Sequence, residues 1–278
     1  MLRLLNIELQ KLRYNKAVKI ISIVYFALII SVALIVSIEF NIGNIKFRVA
    51  DQGIFNFPYI WHFNSHIVAY LKILLAIVIV SMTANEYTYR TLKQNLIDGL
   101  SKKEFILSKF LTVVLFSLVS TVFLFVVSMI LGLSFSDYKE IGVIFRDLEF
   151  VLAYFIKLVA FFSFCLFLGI WVKRSAFALG FLAIWQIVEL IIYQLLWHKV
   201  FDSKDMAESI TQFFPLHSMW DLLKEPYTRF NAVDTIANQL GENINLDYHV
   251  QWHIVLVALA WTFLFIYWSY LILKKRDL

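Results

Sequence analysis

The sequence predicts an all-α integral membrane protein with six transmembrane helices, folded as a single membrane domain over residues 1–278. Hydrophobic residues make up 61% of the chain and charged residues only 16%, whereas a soluble domain carries about 25% charged residues. The apolar residues gather in long runs with few or no charges, and the basic residues concentrate in alternate connecting segments. Together these features indicate a polytopic helical protein that lies in the lipid bilayer.

The net charge of +5 is therefore interpreted as a difference between the two sides of a membrane, and no nucleic-acid partner is expected. The lone Cys165 lies in an apolar run and cannot form an intrachain disulfide. The first apolar run is longer than the ~7–15 residues of a signal-peptide core, so no cleavable signal peptide is expected.

Residues 1–17 are predicted to form an amphipathic helix in the membrane interface. Leu2, Leu5, Leu9 and Leu12 share one helical face, while charged side chains occupy the others. The basic residues among them favour contact with anionic lipid headgroups. The alternative is an N-terminal segment that is merely solvated.

Six apolar runs approach the ~20 residues that a helix needs to cross the hydrocarbon core. The third run is long enough to tilt or to project beyond the bilayer. Lys173 and Arg174 form a minimal turn between the fourth and fifth runs. No broken helix is expected inside a run. The predicted spans cover about residues 20–38, 66–84, 105–133, 150–172, 175–197 and 250–273.

Two connecting loops carry predictions of their own. The loop at 198–249 is too short for a separate enzyme domain. Its apolar patch around Pro215 predicts a partly re-entrant or interfacial helix, with an ordinary amphipathic surface loop as the alternative. The loop at 39–65 is expected to lie along the membrane surface, because aromatic side chains favour the headgroup level. Those aromatic residues are Phe55, Phe57, Tyr59 and Trp61.

The distribution of basic residues predicts the orientation. The N-terminus, the segment between spans 2 and 3, the turn between spans 4 and 5, and the C-terminal tail carry nearly twice as many Lys and Arg as the longer loops opposite. The acidic residues divide the other way. The positive-inside rule therefore places both termini in the cytoplasm of a multi-pass inner-membrane protein.

The segment at residues 85–109, between spans 2 and 3, is polar and is predicted to form a cytoplasmic elbow. Within it, Leu92, Leu96, Ile97 and Leu100 have the spacing of the apolar face of a short helix. Gly99 permits a backbone turn. Ser101 and Glu104 then form the S-x-x-E pattern of a capping box, which starts a new helix.

The elbow resembles that of permease subunits of ABC-2-type transporters. The family pattern runs roughly E…G-T-L…S-R…K, and this chain departs from it at Arg90, where the family often has glycine. The resemblance extends over nearly the whole chain in span number, orientation and N-terminal segment. The residues that match the pattern are Glu86, Thr91, Leu92, Ser101, Lys102 and Lys109.

This resemblance implies a transmembrane exporter subunit whose elbow carries the coupling helix that docks onto a separate ABC ATPase. It also implies a second permease chain, identical or homologous. The chain contains no G-x-x-x-x-G-K-[ST] phosphate-binding loop, so it is not expected to be an enzyme. It needs no cofactor of its own, since ATP and Mg would be bound by the partner. The expected coupling residues are Glu86, Arg90, Thr91, Leu92, Lys93, Leu96, Ser101 and Lys102.

Other functions stay open at this stage. A membrane scaffold or immunity-type protein would bind a partner without ATP, and a secondary transporter would use a gradient. An intramembrane enzyme is disfavoured, because H-E-x-x-H, G-x-S-x-G and paired intramembrane aspartates are all missing from the sequence. The substrate does not follow from the sequence, because selectivity depends on the shape of the pathway.

Three charged residues fall inside predicted spans, namely Lys72, Lys157 and Glu189. Each would cost roughly 2.5–3.5 kcal/mol at the centre of the bilayer. One interpretation is that the lysines extend toward the interface and that Glu189 is protonated or hydrogen-bonded within the bundle. The sharper hypothesis is a buried cluster in which Glu189 pairs with one of the lysines.

The histidines lie at or beyond the predicted outer surface. His62 with His66, and His249 with His253, have the i,i+4 spacing that places two imidazoles on one helical face. A metal site would need a third ligand. No cysteine or carboxylate completes either pair at short range, so no metal site is predicted.

Overall fold

The computed structural model describes residues 2–42, 45–48, 53–227 and 248–276. Its first half contains a short helix, a long helix, a two-stranded antiparallel hairpin and three further helices. These elements are α1 (Leu2–Tyr14), α2 (Lys16–Ser37), β1 (Glu39–Ile42), β2 (Ile45–Arg48), α3 (Tyr59–Tyr70), α4 (Lys72–Thr88) and α5 (Thr91–Ile97). The hairpin is the one departure from the predicted all-helical fold within the described residues.

The second half is helical throughout the described residues. The short α10 and α11 pack against α9 and, for α11, also against α8 and the last helix. The described part of the segment at 198–249 is therefore a helical layer on the bundle, and its residues 228–247 lie outside the described residues. The elements are α6 (Lys102–Phe135), α7 (Ile141–Ile144), α8 (Glu149–Val172), α9 (Ser175–Leu195) with a π-helical extension (Leu196–Phe201), α10 (Lys204–Thr211), α11 (Pro215–Asp221) and α12 (Trp252–Lys274).

The helix α8 is the centre of the bundle and contacts α3, α4, α6, α9 and α12. In its most apolar stretch 78% of the residues are buried inside the protein, against 17% in the corresponding stretches of α2 and α9. Within the described chain, five helices are long and apolar enough to cross a membrane, and the bent pair α3–α4 is a sixth candidate. These helices confirm a multi-pass helical membrane protein.

A cluster of hydroxyl groups joins three of these helices inside the bundle. Tyr25 of α2 hydrogen-bonds to Ser120 of α6 and, at 2.9 Å, to Tyr154 of α8. Ser120 and Tyr154 also lie 2.9 Å apart, and all three side chains are buried. Each hydroxyl thus has a protein partner, as a polar group needs where water is excluded.

The predicted span at 66–84 is wrong in its continuity. The structure places there two helices, α3 and α4, which meet at a bend of 48°. Around the bend the backbone N–H of Leu71 donates a hydrogen bond to the carbonyl of Val68, and that of Leu74 donates to the carbonyl of Leu71. These bonds span three residues, so tight turns replace the four-residue pattern of an α-helix. This part of the chain contains neither glycine nor proline, so the sequence carries no local signal for the break.

The prediction that the aromatic loop at 39–65 lies at headgroup level is also wrong for most of its aromatic residues. Phe55, Phe57 and Trp61 are at most 1% exposed, while Tyr59 is 46% exposed. Trp61 stacks on Phe125 and donates its indole N–H to the carbonyl of Ile144 at 2.8 Å. These rings fill the space between α3, α6 and α7. Burial there removes their apolar surface from water, and the indole N–H of Trp61 keeps a hydrogen-bond partner.

Gly132 of α6 is a point of close approach between this aromatic segment and the bundle. A Cβ atom at Gly132 would lie 2.2 Å from Cζ of Phe57, so Gly132→Ala is expected to lower the free energy of unfolding by about 1–3 kcal/mol through overpacking. Chemical unfolding in mild detergent would measure the change. Gly142→Ala is the control, since a Cβ there meets nothing within 4 Å; equal stability of the two variants would contradict the expected clash.

The N-terminal helix α1 packs on the bundle through a face that differs from the predicted leucine stripe. Leu4, Glu8 and Leu12 are buried, whereas Leu5 is half-buried and Leu9 is 37% exposed. The helix ends before Asn15, whose side chain accepts hydrogen bonds from the first backbone N–H groups of α2. One face of α1 therefore binds the protein, and the side that carries Leu5 and Leu9 stays available to lipid.

Candidate functional site: the elbow and its ion network

The elbow consists of the end of α4, a left-handed residue, α5, a tight turn and the start of α6. Arg90 has φ 57° and ψ 16°, and Gly99 has φ 95°. Ser101 and Glu104 form the predicted capping box: the Ser101 N–H donates to Glu104 Oε2 at 2.9 Å, and the Glu104 N–H donates to Ser101 Oγ at 3.2 Å. The predicted turn at Gly99 and the predicted start of α6 are thus confirmed. The short helix that precedes the turn covers residues 91–97.

Lys109 lies at the centre of a buried ion network that joins three helices. Its ammonium donates to Glu8 Oε2 at 2.6 Å and to Glu86 Oε1 at 2.7 Å, so α6 is bound to both α1 and α4. The Lys109 side chain is fully buried, and those of Glu8 and Glu86 are only 3% and 4% exposed. Because burial removes water from all three charges, each depends on its partners in the network.

Lys11 of α1 completes the network at its solvent-facing edge. Its Nζ is 2.8 Å from Glu86 Oε1 and 3.5 Å from Glu8 Oε1. Burial alone lowers the pKa of the Lys11 ammonium, but the hydrogen bond to Glu86 and the charges of Glu8 and Glu86 outweigh it, so the pKa lies above its ordinary value. Lys11 therefore stays charged, and two ammonium groups face two carboxylates.

Glu86 also binds the beginning of α5. Its Oε2 accepts a hydrogen bond from the Thr91 hydroxyl and another from Asn95 Nδ2 at 3.3 Å. Leu92, the second residue of α5, is 2% exposed, and Leu96 packs against the core of the bundle. One carboxylate thus connects α1, α4, α5 and α6.

The opposite side of the elbow faces solvent. Arg90, Lys93 and Gln94 are exposed there, together with Tyr89 at 71% and Ile97 at 75%. Of the apolar positions that predicted this helix, Leu92 and Leu96 lie against the bundle, whereas Ile97, the last residue of α5, does not. We refer to Tyr89, Arg90, Lys93, Gln94 and Ile97 as the elbow surface.

The C-terminal segment is attached to the base of the elbow. The Arg276 guanidinium donates to the carbonyls of Ile170 and Trp171 at 2.8 and 3.2 Å and to the Tyr87 hydroxyl at 3.2 Å. Lys102 at the start of α6 donates to the Arg276 carbonyl at 2.8 Å. The expected coupling residue Lys102 therefore acts as a tether between α6 and the C-terminus.

Arg90 adopts a left-handed backbone conformation, which is less favourable for arginine than for glycine. Such a conformation costs an L-residue about 1–2 kcal/mol, whereas glycine adopts it freely. Arg90→Gly is therefore expected to leave the free energy of unfolding unchanged or to raise it by up to about 1 kcal/mol. Arg90→Ala keeps the strain and is the control in a chemical-unfolding measurement; a glycine variant less stable than the alanine variant would contradict this expectation.

The hypothesis that Glu189 pairs with a lysine is wrong. The Glu189 carboxylate accepts hydrogen bonds from the indole N–H of Trp185 at 2.6 Å and from the backbone N–H groups of Leu216 and His217 at 3.2 and 2.8 Å. Glu189 therefore holds the first turn of α11 against α9. The alternative that it is hydrogen-bonded within the bundle is confirmed.

The two histidines of α3 bind the backbone that follows α11. A ring nitrogen of His62 lies 2.8 Å from the carbonyl of Lys224, and one of His66 lies 3.1 Å from the carbonyl of Leu223. Among the described residues, no group of three or more His, Cys, Asp or Glu side chains could hold a metal ion. In this structure the i,i+4 pair serves to attach the α10–α11 layer.

Several residues of the elbow site were not found by sequence reasoning. Glu8, Lys11 and Asn95 complete the network around Glu86, and Arg276 ties the C-terminus to it. The one sequence feature that could have pointed to this network is the acid–base pair of Glu8 and Lys11, which have i,i+3 spacing beside the leucine stripe. Neither spacing nor periodicity indicates that this pair meets residues 75 and 101 positions away.

The fold and this site define a multi-pass helical membrane protein in which a charged elbow is fixed between two long helices. The chain belongs to a family described as protein of unknown function (DUF2705), whose model matches residues 24–278. No curated protein matches the chain. The matched range excludes α1, so Glu8 and Lys11 lie outside the part of the chain on which family membership rests.

Proposed function

We propose that this chain is the membrane-spanning permease subunit of an ABC-2-type exporter. In this proposal the chain crosses the inner membrane six times, with α3 and α4 together forming one span and both termini in the cytoplasm. A separate ABC ATPase binds ATP and Mg and docks onto the elbow surface. A second permease chain, identical or homologous, completes the pathway for a substrate that this proposal leaves unspecified.

The observation that carries the proposal is the set of contacts made by Glu86. Its carboxylate is bound by Lys109, Lys11, Thr91 and Asn95. A force on α5 is therefore transmitted to α4 and α6 through direct hydrogen bonds instead of being absorbed by a loose loop. Coupling between ATP hydrolysis and transport requires such a rigid connection between the docking helix and the spans.

The elbow surface has the composition of a protein-binding site. Tyr89 and Ile97 expose apolar area, and Arg90 and Lys93 supply positive charge around it. Interfaces combine a buried apolar or aromatic centre with a charged rim that guides association. An ATPase surface with a hydrophobic groove and acidic edges would complement these residues.

A site-directed cross-link tests the docking position directly. The only cysteine, Cys165, is fully buried, so Ile97→Cys introduces a readily accessible thiol for a photoactivated cross-linker. In native membranes we expect a covalent adduct with a P-loop ATPase, identified by mass spectrometry. Ile141→Cys is the matched control, since Ile141 is 76% exposed on α7, away from the elbow. Equal labelling from both positions, or labelling of other proteins only, would reject this docking site.

One observation favours a second candidate, a secondary transporter. The bend of 48° between α3 and α4 makes a broken span, and discontinuous helices line the substrate sites of many such transporters. The two functions differ in energy source. Transport into or out of proteoliposomes that contain only this chain, driven by an ion gradient, would support the secondary transporter and reject the exporter.

A further inference from the structure

Two lysines inside the bundle have no acidic partner among the residues that the structure describes. Lys157 of α8 is 2% exposed and donates one hydrogen bond, to the carbonyl of Trp220 at 3.3 Å. Lys72, the first residue of α4, lies over the ring of Phe161 with 4.4 Å between its Nζ and the ring centroid. Among the described residues, no carboxylate oxygen lies within 4.0 Å of either ammonium.

The groups around these lysines do not supply the missing negative charge. The two ammonium groups lie within electrostatic range of each other, so neither supplies a counter-charge to the other. Among the described residues, the Asp221 carboxylate lies within electrostatic range of Lys157 but more than 4.0 Å from its ammonium, and Asp221 Oδ2 is 3.5 Å from His217 Nε2. The remaining titratable neighbour of Lys72 is the buried thiol of Cys165.

The position of Lys72 makes this positive charge reachable from the surface of the bundle. Lys72 stands at the break between α3 and α4 and is only half-buried. Its chain neighbours Tyr70 and Ile73 are 43% and 58% exposed. Lys157 lies deeper, beside the Trp220 ring at 5.3 Å from Nζ to the centroid. The two lysines therefore lie beside the Phe161 and Trp220 rings, and Lys72 is next to an exposed apolar surface.

We propose that Lys72 and Lys157 form a binding site for the anionic headgroup of an amphipathic molecule. The headgroup is a phosphate or a carboxylate, because ammonium groups pair with both through charge-assisted hydrogen bonds. The apolar part of the ligand lies along the exposed surface beside Tyr70 and Ile73. A ligand that supplies the counter-charge would offset the cost of placing these two lysines inside the bundle without an acidic partner among the described residues. The site does not depend on docking to an ATPase.

Native mass spectrometry of the purified protein in mild detergent tests the proposal. Two anionic probes, dioleoyl phosphatidylglycerol and oleate, are each compared with a neutral counterpart, dioleoyl phosphatidylcholine and oleyl alcohol. We expect the anionic probe to bind more tightly, and Lys72→Met and Lys157→Met each to weaken it roughly tenfold or more while leaving the neutral probe unchanged. Lys204→Met, an exposed lysine of α10, is the control and should have no effect.

The two probes distinguish the sources of the anion. If the methionine variants lose binding of phosphatidylglycerol only, the natural ligand is a bilayer lipid. If they lose binding of oleate only, it is a free amphiphile. Either result supports the site. Equal binding of anionic and neutral probes, or full retention of anionic binding in both methionine variants, overturns it. If Lys157→Met does not fold, Lys72→Met decides alone, with Lys72→Arg expected to restore binding. Failure of ATPase docking would leave these outcomes unchanged.

Discussion

Lys109→Met is expected to lower the free energy of unfolding by about 3–5 kcal/mol. The substitution keeps the length and apolar stem of the side chain, but it leaves Glu8 and Glu86 buried with only Lys11 as a cationic partner. Breaking a buried ion pair by removing one member strands the other charge, and a loss of this size is typical. Chemical unfolding in mild detergent, followed by circular dichroism, would measure it.

The control and the rescue separate this effect from a general loss of helix stability. Lys103→Met removes an exposed charge six residues earlier on α6 and should change the free energy of unfolding by no more than about 0.5 kcal/mol. Replacing Glu8 and Glu86 by glutamine in the Lys109→Met background should recover part of the lost stability, since no carboxylate is then stranded. A loss below about 1 kcal/mol for Lys109→Met would show that the network is not a stabilising junction.

Ile97→Glu is expected to uncouple ATP hydrolysis from transport while leaving the fold intact. Ile97 is 75% exposed and ends α5, so the change removes no internal contact. Within the proposed interface, however, it replaces an apolar anchor by a carboxylate, and such a change at the centre of an interface costs at least about 2 kcal/mol, or some thirtyfold in affinity. Titration of the purified ATPase against the reconstituted chain would measure the loss of affinity.

The position-matched variant for this prediction is Ile141→Glu, which makes the same change at a residue of equal exposure on α7. It should leave ATPase affinity unaltered. Arg90→Glu should behave like Ile97→Glu if the positive charge steers docking, while Arg90→Gly, which removes the positive charge without adding a negative one, should weaken docking less. Normal coupling in both Ile97→Glu and Arg90→Glu would count against the elbow surface as the docking site.

Local features of the elbow could be predicted from the sequence because they depend on neighbouring residues. The turn at Gly99 and the capping box of Ser101 and Glu104 each involve groups no more than a few positions apart, and both are present in the structure. The apolar runs likewise predicted the long helices, since bilayer thickness sets their length. Arg90, noted in the sequence as a departure from glycine, has a positive φ, a conformation that glycine adopts more freely than arginine.

Features that depend on distant residues could not be predicted in the same way. The partners of Lys109 lie 101 and 23 positions away, and no spacing rule connects α1 to the elbow. The break at Leu71 has no glycine or proline to announce it. Aromatic residues such as those at positions 55–61 are common both at a membrane surface and in a buried core. Phe57 and Trp61 are buried because they pack against α6.

The most direct test of the proposed function is co-purification of the tagged chain from native membranes in mild detergent, with quantitative mass spectrometry of the bound proteins. The exporter account expects a P-loop ATPase in stoichiometric amount with the wild-type chain and with Ile141→Glu, and its loss with Ile97→Glu and Arg90→Glu. Recovery of the intact chain without an ATPase in several detergents, or equal recovery of the ATPase with all variants, would contradict the account and leave the elbow as a structural junction of the bundle.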